Sequence, residues 1–152
     1  MIQRKQTIFL VLAIIALLIC MVSPVMSLTP NGMGADDVVY NLWIVDGSNA
    51  TMSYKVWPMF CSLLIATAVG FIAIFKYKNR KLQMKMCFLC NLMIVIWVIL
   101  YVLYGMVILP KDSEMNFSLT ACLPVIAAFF FMLARKGIRD DERLVRAADR
   151  IR

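Results

Sequence analysis

The sequence predicts an all-α membrane protein: an antiparallel four-transmembrane-helix bundle with a small outer β-hairpin and a C-terminal cytoplasmic amphipathic helix. Three observations predict it. Uncharged apolar stretches recur four times, at residues 8–22, 56–75, 86–109 and 115–134. Lys and Arg gather in the segments on one side of those stretches. Hydrophobic residues make up 62% of the 152-residue chain, with a mean hydropathy of +0.82, against roughly 45–50% apolar in soluble domains. Too little polar sequence remains to cover four apolar helices in water.

Crossing the hydrocarbon core takes about 20 apolar residues. A charge at a helix centre costs about 2.5–3.5 kcal/mol. The predicted helices are therefore about 7–27, 56–76, 86–109 and 116–136, in one domain spanning 1–152. The first has the basic start and apolar run of a signal peptide, with "VMS" at 25–27 as a cleavage site. Retention is favoured, because a retained helix gives an even, antiparallel bundle with short connections.

Orientation follows from the bases. Arg4 and Lys5, the 76–85 loop and the 135–152 tail hold 14 of the 16 Lys and Arg; Lys55 and Lys111 are the other two. Cytoplasmic loops carry the excess of Lys and Arg. Both termini and the 76–85 loop are therefore placed in the cytoplasm, and 28–55 and 110–114 outside.

The first outer segment opens with turn residues, Pro30, Asn31, Gly32 and Gly34. "VVYNLWIV" then precedes Asp46-Gly47 and "SNATMSYKV". Asp-Gly between β-branched and aromatic runs signals a hairpin, predicted over about 37–55. Tyr54 and Trp57 are placed at the outer interface.

Inside the bundle, Ala13, Ala16 and Cys20 on the first helix and Ser62, Ala66 and Gly70 on the second let helices approach closely. Pro58 opens the second helix, where proline is tolerated. Pro124 is placed well inside the fourth helix and predicts a kink. Polar residues at membrane depth are Ser62, Thr67, Asn91, Thr120 and the indole of Trp97.

The chain has no histidine. That removes haem–His ligation, His-containing zinc sites, Ser-His and Cys-His nucleophiles, and imidazole relays. No Asp, Glu, Lys or Arg lies inside a span, which argues against a pump or ion-coupled transporter. Cys87-Phe-Leu-Cys90 is a C-x-x-C and the one weak redox candidate. It sits at the cytoplasmic end of the third helix, whereas oxidative disulfide exchange belongs on the outer side. Packing as small hydrophobes is the favoured role for all five cysteines. No catalytic, cofactor or metal site is predicted.

The tail "RKGIRDDERLVRAADRIR" carries six arginines, one lysine and four acids. On one helix, Arg139, Arg143, Arg146 and Arg150 fall within a narrow arc, with Ile138, Leu144, Val145, Ala148 and Ile151 roughly opposite. Gly137 is read as ending the fourth helix, with Asp140 capping a fresh one over the 137–152 tail. The four arginines are the candidates for partner or lipid contact. Mixed charge signs at fixed spacing suit a specific protein partner. Nucleic acid is disfavoured, since no aromatics interleave the bases.

"MIQRKQTIFLVLA", "YKNRKLQ" and the tail together resemble a family of four-helix membrane proteins from Bacteroidetes, catalogued as a domain of unknown function. The resemblance covers essentially the whole chain. It implies a bacterial cytoplasmic membrane and carries no activity with it. The resulting expectation is a non-enzymatic scaffold or accessory subunit, embedded in membrane lipid, that docks a cytoplasmic protein through residues 138–152. The alternatives are a small passive channel or carrier and a thiol redox protein using Cys87 and Cys90. The oligomeric state stays open.

Overall fold

The computed structural model describes residues 3–30, 34–47, 49, 51–77, 79–108 and 113–151, without the side chains of 3–5, 108, 113, 146 and 148–151. The turn residues Asn31 and Gly32 lie outside the described residues, as do Lys78 and Lys111 and the side chains of Arg4, Lys5, Arg146 and Arg150.

Four helices form the body: α1 (Gln3–Val22), α2 (Trp57–Phe75), α3 (Arg80–Leu103) and α4 (Leu123–Ile151). In the packing, α1 lies against α4 and α2, and α3 lies against α2 and α4. Within their apolar stretches the helices are apolar on both faces. Along α1, Leu10, Ala13 and Leu17 are buried while Ile8, Ile15 and Leu18 are exposed. Helices that are hydrophobic all round belong in lipid or deep in a large core. This bundle is small, so its outer apolar surface has no protein layer to cover it.

Three helices are long and apolar enough to cross a membrane: Trp57–Phe75, Arg80–Val107 and Leu119–Val145. Four were expected. The first apolar helix, Gln6–Val22, is shorter; at 1.5 Å per residue it covers about 26 Å of a roughly 30 Å hydrocarbon core. The helix ends at Val22, five residues before the limit expected at residue 27; Pro24 follows, and the chain enters a strand at Met26.

That strand changes the end of the bundle where the hairpin was expected. Instead of a two-stranded hairpin, five short strands form one antiparallel sheet in the order β4-β3-β2-β1-β5. They are β1 (Met26–Pro30), β2 (Asp37–Val39), β3 (Ile44–Val45), β4 (Met52–Ser53) and β5 (Ser113–Phe117). β1 pairs on one side with β2 and on the other with β5, in register Met26↔Phe117. Met26 and Leu28 are buried while Ser27 and Thr29 are less so. This alternation is the period-two pattern of a half-buried strand. "VVYNLWIV" is not one strand: β2 and β3 pair through a turn at residues 40–43, where the Tyr40 N–H donates to the Trp43 carbonyl (2.9 Å). Asp46 and Gly47 sit at the start of a longer connection to β4, closed by the Asp46 N–H donating to the Thr51 carbonyl (3.1 Å). Tyr54 and Trp57 are exposed below it.

The sheet plugs the bundle through Asn41 in that turn. Asn41 is fully buried; its Nδ2 donates to the Cys20 carbonyl (2.6 Å), and its Oδ1 accepts from Trp97 Nε1 (2.8 Å). The last carbonyls of a helix lack partners within it. A loop residue therefore satisfies the end of α1. Tyr101 Oη donates to the Val25 carbonyl (3.1 Å), and Thr120 Oγ1 donates to the Pro24 carbonyl. Trp97 and Tyr101 stack with ring centroids 5.2 Å apart.

The small residues do let helices close in. A Cβ on Gly70 would lie 3.2 Å from Ile14 Cγ1 and 3.3 Å from Phe131 Cζ. Ile14 and Phe131 are themselves buried, so α1, α2 and α4 meet there. Ser62 and Thr67 donate to carbonyls of their own helix, Met59 (2.7 Å) and Leu63 (2.8 Å), which satisfies these hydroxyls without another helix.

α4 departs from expectation at both ends. Residues 113–117 are β5, and a 3-10 turn, Leu119–Cys122, leads into the helix. Pro124 is then the second helical residue. Its missing N–H would be unpartnered there in any case, so no kink in mid-helix arises from it. At the other end α4 runs unbroken through Gly137 to Ile151. Gly137 is no helix terminator. A Cβ at that position would lie 3.1 Å from Gln6 Cγ, so the missing side chain leaves room for α1.

Candidate functional site

The extension of α4 beyond Gly137 is anchored. Ile138 is fully buried and Asp141 nearly so. Gln6 Nε2 donates to Asp141 Oδ2, and Arg80 Nη1 donates to the Asp141 carbonyl (3.2 Å). One residue thus ties the start of α1, the start of α3 and the extension of α4. Beyond it, among the described side chains of the expected apolar face, Leu144 and Val145 are exposed.

α3 begins at Arg80 after Asn79, whose side chain accepts from the Leu82 N–H (3.3 Å). This side-chain cap starts the helix within the basic loop. Lys81, Lys85 and Phe88 then follow at spacings of four and three, so they share a face. Arg135, Arg139 and Glu142 repeat the same spacing on α4. The two faces meet in a cleft of about 540 Å³, lined by these six residues and Met84. Its four bases against one carboxylate give a concave positive surface, which concentrates anions.

Arg135 is held in place at the cleft wall. Its guanidinium carbon lies 5.2 Å from the centroid of the Phe88 ring, a contact worth about 0.5–2 kcal/mol. Its Nε is buried without a hydrogen-bond partner. Leaving such a donor unmatched costs about 1–3 kcal/mol. The cleft wall therefore carries a cation pre-set on a ring, with its Nε–H unpaired.

Of the four arginines read from the sequence, Arg139 lines the cleft, and Arg143 is exposed one turn further along α4. Arg146 and Arg150 continue along the helix, with side chains outside the described residues. Lys81, Lys85 and Arg135 were read only as orientation anchors. The signal that they form a site was the matching spacing on two helices, but nothing local says that those two faces adjoin.

Cys87 and Cys90 are brought together differently. Both are fully buried on α3, and the Cys90 thiol donates to the Ala66 carbonyl of α2 (3.4 Å). Neither lines the cleft. All five cysteines are free. Among the described residues, no group of three or more His, Cys, Asp or Glu side chains converges as a metal site would require.

A family model described as a domain of unknown function, DUF4293, matches residues 2–151. No curated protein matches the chain.

Proposed function

The chain belongs to the DUF4293 family, a domain of unknown function, and from that premise we propose that it is a non-enzymatic, multi-pass protein of the bacterial cytoplasmic membrane. Both termini face the cytoplasm. It acts as a scaffold or accessory subunit whose basic end docks a cytoplasmic protein through Arg139, Arg143, Arg146 and Arg150. The membrane part of this reading draws on three helices of spanning length and apolarity and on an outer surface of Ile, Leu and Phe. Large exposed apolar surfaces of this kind mark contact with lipid or protein.

The single observation that carries the docking role is the unbroken, anchored α4. A helix that merely satisfied the positive-inside rule could stop at Arg135 and Lys136. This one carries its arginines on a helix pinned to the bundle at Asp141, and pre-ordering a binding surface lowers the entropic cost of association.

Crosslinking and co-purification from native membranes in mild detergent tests the reading. The triple variant Arg143→Gln/Arg146→Gln/Arg150→Gln leaves Ile138 and Asp141 intact and should lose a specific cytoplasmic partner. An unchanged set of partners rejects the docking role.

A further inference from the structure

We propose that the cleft between α3 and α4 binds the phosphate of an anionic membrane lipid, whose chains lie along the apolar faces continuing from it. The proposal deepens the membrane reading above and rests on it.

The charge in the cleft is arranged for a phosphate. Lys81 and Lys85 come from one wall, Arg135 and Arg139 from the other, and Glu142 is the one acid in the lining. Arg presents a planar fork of donors suited to phosphate oxygens, and Lys adds point charge. The guanidinium of Arg135 is already fixed over Phe88, with Nε unmatched. Holding it there reduces the side-chain entropy lost on binding.

The surroundings point to a lipid as the source of the phosphate. On α3 the face that begins with Lys81 and Lys85 continues through Phe88, Leu92, Val95 and Ile99, all exposed. On α4 the face of Arg139 and Arg135 continues through exposed Met132 and Val125. Basic groups therefore stand at one end of two neighbouring apolar columns, at the end where the spanning segments begin and finish. An anionic lipid has the matching order, with phosphate first and hydrocarbon after. A free phosphate would make no use of the columns. Basic pockets between transmembrane helices on the cytoplasmic side are suited to anionic headgroups.

The test uses full-length protein reconstituted in nanodiscs of phosphatidylcholine alone or mixed with phosphatidylglycerol, with retained lipid read by native mass spectrometry. The wild type should retain phosphatidylglycerol selectively. Lys81→Gln, Lys85→Gln and Arg139→Gln should each weaken retention about fivefold, the equivalent of about 1 kcal/mol per surface base. Lys81→Arg/Lys85→Arg, which keeps charge and fold, should preserve it. Lys76→Gln removes a base at the same end of the bundle but outside the cleft and should leave retention unchanged. Equal loss in Lys76→Gln, or no loss in the cleft variants, overturns the site. Displacement of phosphatidylglycerol by inorganic phosphate at equal concentration assigns the site to a soluble ligand and overturns the lipid. Failure of the protein to enter nanodiscs at all would reject the membrane reading itself; entry without lipid selection rejects only this inference.

Discussion

Trp97 and Asn41 are 56 positions apart, yet the Trp97 indole N–H donates to Asn41 Oδ1 at 2.8 Å, with both residues buried at the sheet end of the bundle. The indole has a donor only, and the Cys20 carbonyl is an acceptor only. Together they fix which way the Asn41 amide points. One short turn of the sheet thereby locks α1 to α3.

Asn41→Ala should destabilise the protein by about 2–5 kcal/mol, because it leaves both the indole N–H and the carbonyl buried without partners. Trp97→Phe leaves only the amide oxygen bare and should cost less from lost hydrogen bonding. Thermal unfolding in detergent micelles measures both. A midpoint for Asn41→Ala equal to wild type would show that the turn does not hold the bundle.

Gly70→Val should lower the same midpoint, by about 1–3 kcal/mol of stability. The added side chain meets Ile14 and Phe131, which are locked in the core and cannot move aside freely. Gly137→Ala is the informative contrast. Its near neighbour is the unbranched Gln6 side chain, which need give way only slightly, and alanine raises helix propensity by about 1 kcal/mol, so its effect should be small.

Gln6→Ala removes the donor to the buried Asp141 carboxylate. A charge-assisted bond contributes about 1.5–3 kcal/mol. Amide exchange over residues 138–145 should accelerate about tenfold or more, with exchange in α2 unaffected. Uniform acceleration throughout the chain would instead mean that the substitution loosens the whole bundle.

Topology can be read with an impermeant maleimide on intact cells of a Cys122→Ser background. Asp36→Cys, on the sheet side, should be labelled directly, and Arg143→Cys only after lysis. The reverse pattern would overturn the orientation inferred from the distribution of Lys and Arg.

Cys87 and Cys90 have no exposed surface, so both should resist the reagent in lysed cells until the protein is denatured. Cys87→Ala/Cys90→Ala should remain folded and keep wild-type partner binding. Ready labelling of the native protein would reopen the thiol redox reading.

The helical body was legible in the sequence because apolarity is a local property, summed over neighbours. α2 starts and ends within one residue of its expected limits. The basic ends of α3 and α4 were legible for the same reason, charge by charge. The ends of the apolar stretches were not. Read alone, residues 26–27 and 115–117 look like the ends of apolar stretches and 28–30 and 113–114 like outer loop, and together they become β1 and β5 because they pair with each other across the fold. "MSLT" did alternate apolar and polar, but the alternation is too short to outweigh an adjoining uncharged helix.

Proline and glycine show the same division. The sequence by itself determined that Pro124 and Gly137 would matter. Only the tertiary structure decided how: one lies at the start of a helix delayed by β5, the other makes room for Gln6 rather than ending a helix. The cleft follows this rule too. The spacing of Lys81, Lys85 and Phe88, and of Arg135, Arg139 and Glu142, is written locally. That the two faces oppose each other depends on helix packing between segments some 50 residues apart, and long-range contact leaves no local mark.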